Sequence, residues 1–545
     1  MKLIHGLRGD NLRGDIYGGL TAAVVALPLA LAFGVAAGAG PIAGLYGAIA
    51  VGFFAALFGG TPAQISGPTG PMTVVMTVVV MKYAGDPAMA FTVVMLGGLL
   101  QILFGMLRLG RFINLMPFPV ISGFMSGIGF IIIILQVAPF LGQANPGGGP
   151  LGALLNFPAL FANPASDALA IGITALAIMF LTPVAINRVL PAPLIALGLG
   201  TFMAMFLFTD APILADVPTG LPDLQLPTFS VEAFPDMIGS ALVLALLGSL
   251  DSLLTSLIAD NITRTHHHSD RELIGQGIGN FVAGLIGGLP GAGATMRTVV
   301  NVRAGGRTPI SGALHAIVLL AVVLGLAPLA EHIPHAVLAG ILFKVGIDIV
   351  DWDYLRRVRR APRVEVLFML VVLGLTVFVD LIVAVGVGMF LASLLFVKTM
   401  ADIQSESIRA ITGETEDAPL SDEARAILRA SGGRLLLFHL EGPMSFGIAK
   451  GMGRSFSVAD KFEATVFDLT DVPIIDSSAA MALEYAIRHS HAEGRPAFLA
   501  GMRTGVEQVL DRLGVFEHLP ADHRFATRAQ ALQAALDHIG PAEDI

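Results

Sequence analysis

Residues 67–75 read GPTGPMTVV, and residues 291–300 read GAGATMRTVV. Each is a Gly/Pro-rich approach followed by a short apolar helix, shorter than the roughly 20 residues that cross a bilayer. Among the hydrophobic windows of the chain these are the third and the tenth. Those positions correspond if the chain is two repeats of seven, and because seven is odd the repeats would be inverted relative to one another. Short, interrupted segments at matching positions of two halves point to a transporter's binding site. A half-helix that starts at mid-membrane aims its unpaired N–H groups and the positive end of its dipole into the cavity. Two such ends facing one another favour an anion. Close helix packing would explain the glycines alone, but not the match of position and sequence.

Outward from this pair, hydropathy predicts fourteen spans near 16–38, 42–59, 69–83, 88–107, 117–141, 166–185, 191–209, 237–260, 272–289, 294–304, 311–331, 335–350, 364–380 and 381–399. The first runs from Gly18 with no small-residue cleavage site, unlike a signal peptide. The composition agrees. Of 545 residues 54% are hydrophobic and 13% charged, where soluble domains average about 45–50% and 25%. Disorder, nucleic-acid binding and a disulfide scaffold are excluded. With no cysteine there is no thiolate metal site or thiol nucleophile. The net charge of −9 argues against a polyanionic partner. The average hides two regimes. Residues 401–545 carry 35 charged side chains, and the far longer stretch 1–400 carries only 38. The tail thus has the charge density of a soluble domain, and the stretch before it does not. The expected organisation is a membrane domain at 1–400, a linker at 401–432 and a soluble domain at 433–545.

Loop charges give an orientation. Alternate loops hold Arg108 and Arg111; Arg188; Arg264 and Arg271; Arg303 and Arg307; then Arg356, Arg357, Arg359, Arg360 and Arg363. The opposite loops hold almost no cations apart from Lys82, and the one before Met237 is acidic, with Asp210, Asp216, Asp223, Glu232 and Asp236. The positive-inside rule then puts both termini in the cytoplasm; the membrane expected is a bacterial inner membrane.

Within the spans, Asp251 stands alone in LVLALLGSLDSLLTSLIAD, and an intramembrane acid is a functional candidate. Thr255, four residues on, shares its helical face. A carboxylate with a neighbouring hydroxyl suits a hard cation such as sodium, or a proton; a structural acid paired with an arginine is the plainer reading. Arg297, one turn into the second short helix, would compensate a bound anion or neutralise Asp251. Thr69, Thr73 and Thr295 offer hydroxyls at the half-helix starts, or cap them. Lys344 is expected to snorkel, Asp380 to lie in an exposed turn, His266–His268 to form a solvated loop, and His315 to be a packed helix residue. In the tail, RLLLFHL (434–440), ATVFDL (464–469) and RPAFLAG (from Arg495) have strand character, and 477–492 and 504–514 helical character. That alternation predicts a small α/β domain, with Asp476, Ser477 or Ser478 capping a helix. It carries no P-loop.

PTGPMTVV, the Asp251–Thr255 span, GAGATMRTVVN and GGRTP together resemble the sulfate permease (SulP) family of anion transporters. LEGPMSFG and DLTDVPIIDSSA are similar to its C-terminal STAS domain. The resemblance covers essentially the whole chain, and FFAALFGGTP, VISGFMSGIG and LAGILFKVGIDIVDW place it nearest the sodium-coupled bicarbonate carriers of that family. It implies a seven-plus-seven inverted-repeat helical membrane protein with core and gate domains, elevator-like alternating access, a homodimer in the lipid membrane, and no enzymatic activity. It implies sodium at Asp251, Thr255, Gly293, Ala294 and Thr295, and the anion between Thr69 and the backbone of Ala294, near Thr73, Thr295 and Arg297. Arg297 departs from the sodium-coupled pattern, which has glycine there. Arginine is usual in sulfate, chloride and dicarboxylate carriers, so a proton-coupled or exchanging carrier of those anions is the alternative, and a non-transporting sensor or electromotile protein another. The STAS phosphoacceptor would fall at Ser477 or Ser478, with Ala479 replacing the usual glycine.

Overall fold

The computed structural model describes residues 5–110, 117–187, 190–214, 222–379, 381–412, 420–445 and 462–540. Arg111, Arg188, Asp216, Asp380 and the last two residues of LEGPMSFG lie outside them. The chain divides into two compact units, Met1–Ala392 and Ser393–Ile545.

The first unit is helical: α1 (Leu12–Ala36), α2 (Pro41–Phe58), α3 (Gly70–Lys82), α4 (Pro87–Met106), α5 (Phe118–Phe140), α6 (Gly149–Ala162), α7 (Ser166–Leu181), α8 (Ala192–Phe206), α9 (Phe234–Thr263), α10 (Ser269–Leu285), α11 (Thr295–Ala304), α12 (Pro309–Ala330), α13 (His335–Ile349), α14 (Arg363–Phe378) and α15 (Leu381–Glu406). Each of the fourteen hydropathy windows contains one of these helices. The helix without a window is α6, whose 14 residues and internal Pro158 keep it below the length of a span. Among the described residues six helices are long and apolar enough to cross a bilayer. Two bent pairs, α6 with α7 at 115° and α11 with α12 at 111°, pass only together. Helix starts follow local chemistry. Proline occupies the first turn of α2, α4 and α12, where no intrahelical N–H is lost. The Asp86 carboxylate accepts from Ala88 N at 3.1 Å, and Thr308 Oγ1 accepts from Ile310 N at 3.3 Å.

The two opening motifs meet. Strand β1 (Ser66–Gly67) pairs antiparallel with β2 (Ala292–Gly293), Ser66 opposite Gly293 and Gly67 opposite Ala292, so α3 and α11 both start beside this crossing. Two glycines permit it. Gly67 has φ +150°, and a Cβ there would lie 2.8 Å from an Arg297 guanidinium nitrogen; a Cβ on Gly291 would lie 2.5 Å from the Gly67 carbonyl carbon.

Two buried carboxylates anchor the loops around the crossing. Glu272 in the first turn of α10 accepts from Gly60 N (2.8 Å), Thr61 N (2.9 Å), Gln64 Nε2 (2.8 Å) and Gln276 Nε2 (2.8 Å). Asp15 in α1 accepts from Arg307 N, Thr308 N and Thr308 Oγ1 at 2.8–2.9 Å. Each ties down a loop from the opposite half of the membrane unit. Charged groups in apolar surroundings are tolerated when hydrogen-bonded in this way.

The second unit is a five-stranded sheet in the order β3 (Ile408–Ile411), β4 (Leu435–Glu441), β5 (Ala464–Asp471), β6 (Ala497–Ala500), β7 (Arg524–Phe525). β3 is antiparallel to β4, and the remaining pairs are parallel. Helices α17 (Ser477–Ala492) and α18 (Thr504–Arg512) cover one face. Helices α16 (Asp422–Ala430) and α19 (Arg528–Ile539) cover the other. The unbroken buried runs 435–440 in β4, 464–469 in β5 and 497–500 in β6 are those of a parallel sheet covered on both faces. Residues 401–432, expected as a linker, contain the end of α15, the edge strand β3 and α16. The segment is rich in charge, but Ile408, Ile411, Ala424, Ile427 and Leu428 bury one side of it.

Candidate functional site

Asp251 lies near the middle of α9, in a stretch where Ser249, Ser252 and Ser256 donate to backbone oxygens one turn back at 2.5–2.8 Å. Such back-bonding satisfies a hydroxyl within its own helix. Thr255 does something else. Its Oγ1 donates to Gly293 O of β2 at 3.0 Å and lies 2.8 Å from Thr295 Oγ1, the first residue of α11. Ser252 Oγ accepts from Gly293 N at 3.0 Å. Both backbone groups of Gly293 are therefore held by one face of α9, and the start of α11 is fixed against Asp251's helix.

Asp251 Oδ2 is buried without a hydrogen-bond partner, and so is Thr69 Oγ1. Thr69 is the N-cap residue of α3 but makes no side-chain cap. Pro71, two residues on, has no N–H to offer, so the usual capping bond is half missing from the sequence. Thr69 and Arg297 are the side chains that act on the Asp251 carboxylate. Arg297 is 2% exposed, and its guanidinium donates to Pro68 O at 2.6 Å, reaching from α11 to the approach of α3. Asp251 also borders a cavity of about 30 Å³ whose other walls are apolar, among them Pro71, Phe124 and Leu254. The site thus brings together one carboxylate, one guanidinium, two paired hydroxyls, a carbonyl and the starts of two short helices. Oxygen donors on the same helix face as a carboxylate are the ligand chemistry of a hard cation, and the helix starts with Arg297 are that of an anion.

Of the residues expected from sequence, Asp251, Thr255, Gly293, Ala294, Thr295, Arg297 and Thr69 converge here. Thr73 departs: its Oγ1 donates to Thr69 O at 2.8 Å, so its proton is engaged in its own helix. Lys344 Nζ reaches one turn along α13 to Asp348 Oδ2 at 2.6 Å. His267, expected to be solvated, bridges Asp260 Oδ2 (2.7 Å) and Ser269 Oγ (3.0 Å). His315 is buried as expected, with neither ring nitrogen partnered. Glu272 was not foreseen. Its signal was present, since Glu272, Gln276 and Asn280 recur every four residues as a polar stripe on α10. Lys82, the outlying cation, pairs with Asp236 at 2.8 Å.

In the second unit Asp476 caps α17, accepting from Ala479 N at 2.8 Å, and leaves Ser477 and Ser478 exposed at the helix start. A buried cluster lies near the ends of β4 and β5. Asp468 Oδ2 meets His439 Nδ1 at 2.8 Å and Arg528 Nε at 2.6 Å. Burial pushes the Asp468 carboxyl up, but the hydrogen bonds from His439 and Thr470 and the charge of Arg528 together hold it below the usual aspartate range.

The model of the sulfate permease family matches residues 12–372, and that of the STAS domain residues 427–531. The bicarbonate transporter BicA of Picosynechococcus sp. is 49% identical over 99% of this chain and 98% of its own length. The solved transmembrane domain of a cyanobacterial BicA covers 70% of this chain and all of its own, with 53% identity and a TM-score of 0.67. The structure of SLC26A9 covers 97% of this chain and 91% of its own, with a TM-score of 0.82 at 17% identity, a likeness of fold alone.

Proposed function

Since the chain belongs to the sulfate permease family of membrane transporters and carries a STAS domain, we propose that it carries bicarbonate, coupled to sodium. The observation that carries this reading is the crossing of β1 and β2, which sets Thr255, Thr295 and Gly293 O beside the helix of Asp251. The likeness to BicA along the full chain supports the substrate. In this reading sodium sits among Asp251, Thr255, Thr295 and the Gly293–Ala294 backbone. Its arrival replaces the contact between Thr255 and Gly293 O. Bicarbonate lies between the starts of α3 and α11, near the Thr69 hydroxyl and Arg297. The charges agree. Asp251 and Arg297 cancel in the empty site, and one sodium with one monoanion keeps it neutral, so empty and loaded forms face similar penalties in a low-dielectric membrane.

The finer architecture belongs to the same proposal: two inverted repeats of seven spans, divided into core and gate and moving as an elevator, in a homodimer of the bacterial inner membrane with both termini cytoplasmic. The antiparallel meeting of the third and tenth windows supports the inversion. Exposed Ser477 and Ser478 suit a regulatory phosphoacceptor. Arg297 favours a second reading, transport of sulfate or a dicarboxylate with protons or by exchange, because a fixed guanidinium complements a second negative charge. Uptake of labelled bicarbonate into proteoliposomes, with and without an inward sodium gradient, tests the choice. Sulfate uptake indifferent to sodium, with no bicarbonate uptake, would refute the first reading.

A further inference from the structure

Between α13 and α14 a six-residue helix, Trp352–Arg357, contains no buried residue. It is held at its start, where Asp351 accepts from Tyr354 N at 3.0 Å and the Trp352 indole donates to Ile347 O at 2.7 Å. Arg356, Arg357, Arg359, Arg360 and Arg363 follow in close succession, all exposed. The ion pair formed by these five among the described residues is Arg356 with Asp353 at 3.8 Å, both more than three-quarters exposed. Nearby Asp348 is engaged by Lys344. Against these five arginines the same stretch carries Asp351, Asp353 and Glu365, so residues 351–365 hold a net charge of +2.

Its depth is set by its neighbours. Directly after Arg363, α14 exposes Val364, Leu367, Leu370 and Val371, a face that in a membrane protein meets acyl chains. Exposed Phe118 packs edge-on against Tyr354, and Phe130 against Trp352, as in the aromatic belts at a bilayer surface. Orientation needs fewer charges than this; the turn from α11 to α12 carries only Arg303, in the last turn of α11, and Arg307. We propose that the 352–363 segment is a binding surface for anionic phospholipid, the arginines clamping headgroup phosphates and Trp352 seated in the interface beside them. Guanidinium groups match phosphate oxygens two at a time, and each basic residue near an anionic surface strengthens attraction about fivefold. The inference rests on membrane placement and is independent of the transported ion.

Trp352 is the single tryptophan of the chain, so its fluorescence reports this surface alone. The full-length protein is reconstituted with brominated phosphatidylglycerol or brominated phosphatidylcholine at equal mole fraction. Phosphatidylglycerol should quench Trp352 more strongly, and high salt should reduce the difference. Arg359→Gln/Arg360→Gln, or Arg356→Gln/Arg357→Gln, should reduce the preference by up to about fivefold per arginine, with the emission maximum unchanged. Each double variant keeps three arginines, so orientation is preserved. Equal quenching by the two headgroups, an undiminished preference in both double variants, or no quenching by either lipid because protein covers the segment would each overturn the proposal.

Discussion

Gly291→Ala tests whether the β1–β2 crossing sets the geometry of the transport site. A Cβ at residue 291 would lie 2.5, 2.6 and 2.8 Å from the carbonyl carbon, oxygen and Cα of Gly67. All three are backbone atoms, so no side chain can rotate away. Restoring ordinary contact requires the strands to separate by about 1 Å, at the 1–3 kcal/mol typical of overpacking. That displacement moves Gly293 away from Ser252 and Thr255 and carries the start of α11 with it. Misplacement of about 1 Å at a binding constellation lowers rates by about 100-fold. Sodium-driven bicarbonate uptake should therefore fall by one to two orders of magnitude, while the melting temperature in detergent drops modestly. Gly239→Ala is the control. It introduces the same methyl in α9 with no atom within 4 Å, where alanine should be neutral or stabilising by up to about 1 kcal/mol. Uptake by Gly291→Ala within twofold of the parent would refute the reasoning, because the crossing would then not govern the site.

Other outcomes follow from the same contacts. Asp251→Asn keeps the shape of the side chain and removes its charge, so bicarbonate uptake should lose its sodium dependence; a preserved sodium response would remove Asp251 from the cation site. Arg297→Gly removes the cation that acts on Asp251 and should steepen the sodium dependence of uptake, while an unchanged sodium titration would count against that pairing. Glu272→Ala takes the acceptor from Gly60 N, Thr61 N and Gln64 Nε2, while Gln276 Nε2 keeps Ser66 Oγ, and should destabilise the membrane unit by about 3 kcal/mol or more, read as a lowered melting temperature. In the second unit, the depressed Asp468 carboxyl stabilises the sheet fully above the ordinary aspartate range and loses that contribution as pH falls through its lowered value. Arg528→Ala should cost about 3 kcal/mol at neutral pH and shift the acid loss of β4–β5 amide protection to higher pH; identical hydrogen-exchange profiles would contradict this.

The amino-acid sequence determined that a helical, apolar unit precedes an α/β unit, though not the boundary between them, and it determined the fourteen helical windows and the two short helices that start beside the β1–β2 crossing. These are local properties: hydropathy over the length of a span, a Gly/Pro approach, a carboxylate and a hydroxyl one helical turn apart. Hydropathy passed over α6, where Pro158 interrupts a short apolar run, and the charge of 401–432 concealed β3 and α16. Glu272 sits in a first helical turn, where an acid reads as an end residue and its burial is not legible. Tertiary structure decided which oxygens face one another. Thr73 and Thr255 are alike in sequence, each a threonine in an apolar helix. Thr73 bonds back within α3, whereas Thr255 reaches Gly293, 38 residues away. Arg297 finds the carbonyl of Pro68 across 229 residues. No helical period encodes such meetings. They arise because glycines at 67 and 291 let two distant backbones cross, and only in the folded chain do the two half-helices share one site.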